Sequence, residues 1–112
     1  MALEQYLRAL ARKELADRAE ELARRHGAPM RRVIVRNQKS RWGSCSVRGT
    51  ISLNWRLIQV PETVRDYIIL HELTHLRLLN HSPRFWAAVE AVCPDYRAAE
   101  DWLKKNSAET GF

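Results

Sequence analysis

The stretch 63–79, TVRDYIILHELTHLRLL, constrains this chain more than any other part of it. It is apolar around most of a helical circumference, and Asp66, Thr74 and Arg77 leave only a narrow polar stripe. A helix of that kind belongs at the centre of a domain, covered on several sides. Yet it carries His71-Glu72-Leu73-Thr74-His75 in its middle. An unpaired glutamate in such surroundings is costly unless a cation lies beside it. The stretch therefore predicts a buried helix with a metal ion against one face.

The spacing fits that expectation. Residues four apart differ by about 40° around a helix axis, so His71 and His75 project from one face a single turn apart. Two imidazole nitrogens can then meet one Zn²⁺ at roughly 2.0–2.1 Å. In an HExxH motif the glutamate, here Glu72, serves as general base and not as ligand. A catalytic zinc normally takes a third protein ligand and keeps one position open. His81 is the nearest candidate. On a continuing helix it would point about 120° away from His75, so the helix must break. In the HExxHxxGxxH pattern a glycine makes that break. Leu78 stands at the glycine position here, which moves the expected turn to Asn80.

The remaining elements follow from their punctuation. From Leu3 to about Arg25, apolar residues recur at three- and four-residue steps (Leu3, Tyr6, Leu7, Leu10, Leu15, Leu22), predicting an amphipathic helix stopped near Gly27 and Pro29. The β-branched centre of RRVIVRN reads as a strand, Arg41–Ser46 as a second and Thr50–Asn54 as a third, with Gly49 free to take positive φ between them. Strands in close succession suggest a small antiparallel meander. Pro61 and Glu62 suit the first turn of the central helix. Ser82 and Pro83 open another helix to about Val92, and a last one follows Pro94 with Tyr96, Ala99, Trp102 and Leu103 inward. The fold class is α+β: an N-terminal helix, a small antiparallel sheet, the HExxH helix and C-terminal helices, in one domain over 1–112.

Composition narrows the setting. No apolar run approaches the roughly 20 residues of a membrane span, and the N-terminus lacks a signal-peptide core. A cytoplasmic protein with Cys45 and Cys93 as reduced thiols is expected. The net charge of +6 is concentrated in Arg24, Arg25, Arg31, Arg32, Arg36, Lys39, Arg41, Arg48 and Arg56. That surplus suits a solvated basic face, or a nucleic acid, nucleotide or acidic peptide as partner.

Four segments in this order, KSRWGSCSVRGTISLNWRLI (39–58), PETVRDYIILHELTHL (61–76), NHSPRFW (80–86) and PDYRAAEDWL (94–103), resemble the YgjP-like metallopeptidases, relatives of the SprT-like zinc proteins. The resemblance spans roughly residues 30 to 105. It implies a zincin-like fold, one zinc per chain held by His71, His75 and His81, and Glu72 as the base. Members often carry a β-rich segment before the first helix, so this chain reads as a minimal member or a trimmed version.

The expected activity is hydrolysis of a peptide or protein substrate. Tyr96, Tyr67 and Arg41 are candidates for stabilising the oxyanion, and Asn54 joins Tyr96 and Arg41 as a candidate substrate contact. The strand Thr50–Asn54 is expected to receive an extended peptide by edge pairing. Two other readings are a metal-dependent nucleotide pyrophosphohydrolase, drawn from the arginine-rich strands, and a nucleic-acid-associated protease module. The four tryptophans are expected mainly in packing, Cys45 as a packed thiol, and His26 at a helix end.

Overall fold

The computed structural model describes residues 2–38 and 41–110, with the side chains of 107–110 left aside. Lys39, counted above among the basic residues, lies outside them. Helix α1 (Ala2–His26) leads into β1 (Arg32–Arg36), β2 (Gly43–Cys45) and β3 (Thr50–Asn54). A 3-10 turn (Trp55–Gln59) then delivers the chain to α2 (Glu62–His75), followed by α3 (Pro83–Val92) and α4 (Tyr96–Thr110).

The apolar periodicity of α1 has a clear outcome. Ala11, Leu15, Ala19, Leu22 and Ala23 are buried, a stripe narrow enough for the helix to lie close on β1 and the 3-10 turn. Leu3 and Tyr6, expected on the same inward face, are instead largely exposed, because the first turns run past the core they would have covered.

The sheet is mixed, and here the antiparallel expectation is corrected. Its order is β1-β3-β2, with β1 parallel to β3 and β2 antiparallel to β3. The β2–β3 hairpin turns at Gly49, whose φ of +96° is the positive value anticipated. Of the residues between β1 and β2, Asn37, Gln38, Arg41 and Trp42 instead lie against the end of β3. Two side chains at the end of that strand fasten these residues: Asn54 Nδ2 donates to the carbonyls of Gln38 (2.7 Å) and Arg41 (2.9 Å), and Trp55 Nε1 donates to Asn37 Oδ1 (3.1 Å). Alternation alone cannot tell this arrangement from a meander, since both place Val33, Val35, Ile51 and Leu53 on the same face.

Helix α2 packs against β2, α3 and α4 as its all-round apolarity requires. Val64, Tyr67, Ile68, Ile69, Leu70 and Leu73 are buried along it, at about 1.5–3 kcal/mol each for the larger aliphatic side chains. That sum leaves room for one unfavourable burial, Glu72. The helix stops at His75, one turn earlier than the expected end at Asn80. The amides of Leu76, Arg77 and Leu78 turn back to Leu73 and Thr74, and Arg77 reaches across to the Gly27 carbonyl at the end of α1.

Candidate metal centre

Three imidazoles converge where α2 ends and the chain folds back. The ligand atoms of His71, His75 and His81 lie within 4.8 Å of one another. His71 and His75 come from adjacent turns of α2. The break after His75 lets residues 76–82 loop round, and Ser82, whose hydroxyl accepts from the Phe85 amide, fixes where α3 begins. His81 is thereby delivered opposite His75, their Nε2 atoms 2.8 Å apart.

The hydrogen bonds around the rings decide which nitrogens are free. His75 Nδ1 lies 3.1 Å from the Leu78 carbonyl, which can only accept, so the proton sits on Nδ1 and the Nε2 lone pair faces inward. That lone pair looks directly at His81 Nε2. A proton or a cation has to sit between them. His71 Nδ1 lies 3.2 Å from the Tyr67 hydroxyl, which in turn donates to Glu100 Oε2 at 2.6 Å. Burial and the neighbouring imidazoles His75 and His81 push His71 down to about 4, so its ring is neutral at ordinary pH. Burial also lowers His75. Three imidazole nitrogens at one point are the donor set zinc prefers.

Glu72 stands beside this cluster, 9% exposed, with burial pushing its carboxyl up to about 7 and the charge of Arg41 pulling it back. One glycine makes room for it. A Cβ on Gly43 would come within 3.2 Å of Glu72 Cγ and 3.2 Å of the Ser52 carbonyl, so any larger residue would press on the carboxylate. The floor is aromatic: Phe85 stacks on His75 with ring centres 4.4 Å apart, and Trp86 meets His71 edge-on at 5.9 Å and His81 at 5.6 Å.

The whole chain up to residue 106 matches the family described as YgjP-like, metallopeptidase domain. The chain belongs to that family. Its fold is also that of a solved structure, the metallopeptidase zymogen of Pyrococcus abyssi abylysin, at 31% identity and a TM-score of 0.70, over 81% of this chain and 93% of that one. A sequence search of curated proteins found no match. Family and neighbour together make this an α+β, zincin-like metallopeptidase domain, which implies a bound metal.

The other residues singled out from the sequence of this family member have different places. Arg41 is exposed near Glu72. Asn54 is fully buried, its Nδ2 donating to the Gln38 and Arg41 carbonyls and its Oδ1 accepting from the Arg56 amide. Tyr67 is 1% exposed behind His71, on the side away from solvent, and burial with Glu100 raises its phenol far above the usual range. Tyr96 is half-buried one ring removed from the histidines, stacked on Trp86 and Tyr67, with Arg97 Nε donating to its hydroxyl. Cys45 is a half-buried thiol on β2, raised by burial and by the Glu72 charge. Trp42 and Trp55 are core residues, while Trp86 and Trp102 are partly buried.

Strand β3, expected to accept a peptide at its edge, is the central strand and is paired on both sides. The edge nearest α2 is β2. The sequence signals also missed Gly43, which reads as an ordinary loop or strand residue, and Glu100, which lies 25 positions beyond the HExxH motif. Among the described residues no helix is long and apolar enough to cross a membrane.

Proposed function

We propose that this domain is a zinc peptidase in which His71, His75 and His81 hold one Zn²⁺ and Glu72 is the general base. The observation that supports this best is the convergence of three imidazoles with a buried, partly desolvated carboxylate next to them. Zinc bound there supplies a Lewis acid that acidifies water and polarises a carbonyl. Glu72, next in sequence to His71, accepts the proton of the attacking water and can return it to the departing amine. A cation beside it favours its ionised form, and burial keeps its basicity high. Arg41, whose charge acts on Glu72, is the charged candidate for the developing oxyanion, whereas Tyr96 is engaged with Arg97.

The substrate reading rests on β2. Its pairing alternates, with Asn54 N bonded to the Trp42 carbonyl and Ser46 N to the Thr50 carbonyl. In that antiparallel register Gly43 and Cys45 turn their N–H and C=O groups away from β3. An extended peptide adding to this edge would lie along the strand whose Gly43 abuts Glu72.

The test is hydrolysis of a denatured protein or peptide library by zinc-loaded protein, with Glu72→Gln as control. The variant should keep its zinc and lose about 100- to 10,000-fold in turnover. Equal turnover by the two proteins would remove Glu72 from the role.

A further inference from the structure

Against His71 lies a chain of groups that the hydrolytic chemistry does not use. Tyr67 lies one turn before His71 on α2, and Glu100 approaches from α4. The hydroxyl of Tyr67 is 2.6 Å from Glu100 Oε2 and 3.2 Å from His71 Nδ1. Tyr67 is 1% exposed, so bulk water does not compete for it.

A phenol has one proton, and an ionised carboxylate can only accept. The Tyr67 proton therefore goes to Glu100. What remains toward His71 is an oxygen lone pair, which calls for a proton on Nδ1. A neutral imidazole with its proton on Nδ1 has its lone pair on Nε2, the side that faces His75 and His81. Ligating histidines gain orientation and basicity from such outer partners. His75 takes the equivalent help from the Leu78 carbonyl three residues away.

We propose that Glu100 and Tyr67 are positioning residues for the metal centre, a carboxylate–phenol–imidazole relay that fixes the tautomer and orientation of His71 from helix α4. The relay rests on the three-histidine reading for its purpose, but its own content, the protonated nitrogen of His71, is measurable without metal. It also gives α4 a part in the site although that helix contributes no ligand.

The first arm is nitrogen NMR of ¹⁵N-histidine-labelled protein, metal-free, at pH 7.5. His71 should carry its proton on Nδ1 in the wild type and shift toward Nε2 in Tyr67→Phe, which keeps the ring and removes the hydroxyl. The second arm is zinc affinity by chelator competition on folded protein. Tyr67→Phe and Glu100→Gln should each weaken zinc by about 10- to 100-fold. The double variant should be no weaker than Tyr67→Phe, because Glu100 acts through the phenol. A wild-type His71 protonated on Nε2 overturns the relay, as does a Tyr67→Phe protein that binds zinc within twofold of wild type. Were the wild type to bind no zinc at all, the metal reading would fall and the nitrogen signals would still decide the relay.

Discussion

His71 and His81 belong to the same cluster but are held in opposite ways. His71 sits on a helix with its ring walled in by Phe85 and Trp86, and its rear nitrogen faces Tyr67. His81 is exposed, on the loop between α2 and α3, and depends on the Ser82 cap and on ring contacts with Phe85 and Trp86 for its place. One imidazole is part of the fold and the other is brought to it. A metal site built this way gains rigidity from the helix and an entry path from the loop, and the two imidazoles should answer differently to substitution.

The largest effect expected from that contrast concerns His81→Ala. It should weaken zinc by more than the roughly 10- to 100-fold that outer partners are worth. It should leave the metal-free protein's stability within about 0.5 kcal/mol of wild type, as exposed substitutions do. His71→Ala should lower both, measured by chelator competition and by urea unfolding in EDTA. Equal losses of metal-free stability in the two variants would break the contrast.

Next comes Gly43→Ala, which probes the opposite wall. The added methyl would press on Glu72 Cγ and on the rigid Ser52 carbonyl. Misplacing a reacting group by even 1 Å can cost about 100-fold, so turnover should fall by up to that amount while zinc affinity stays near wild type. A loss confined to zinc affinity would mean that Gly43 makes room for the histidines instead.

What could be read from the chain alone follows the same division. The helix bearing His71, Glu72 and His75, the candidacy of His81 and the turn at Gly49 are local patterns, set by residues within a few positions of one another. The end of α2 was less legible. Leu76, Leu78 and Leu79 continue the apolar run, and only the turned-back amides and the His75–Leu78 bond show that the helix has already closed. The parallel pairing of β1 with β3 and the role of Asn54 depend on loop contacts that no periodicity encodes. Glu100 meets Tyr67 across 33 positions, a contact made by the packing of α4 and by no motif.

The smallest effect is in the pH dependence of the metal-free protein. Glu72, raised from 4.5 to about 7, binds more protons folded than unfolded across that window, so it makes stability fall as pH rises from 4.5 to 7. His71, lowered from 6.5 to about 4, binds fewer protons folded than unfolded, so it makes stability rise with pH between about 4 and 6.5, and His75 acts in the same sense. The opposing slopes mask each other in wild type. Glu72→Gln removes the falling one, so its stability relative to wild type should increase by about 2 kcal/mol from pH 4.5 to 7. Parallel urea-unfolding profiles for the two proteins in EDTA would show that Glu72 is not desolvated.

In the proposed site three histidines, from two turns of one helix and the loop beyond it, share one zinc. Anomalous scattering at the zinc edge from crystals of the zinc-loaded wild type tests it most directly. One peak is expected, about 2.0–2.1 Å from Nε2 of His71, His75 and His81, with no protein carboxylate among the ligands. A peak ligated by Glu72 or Glu100 in place of His81, or a peak away from the cluster, would contradict it.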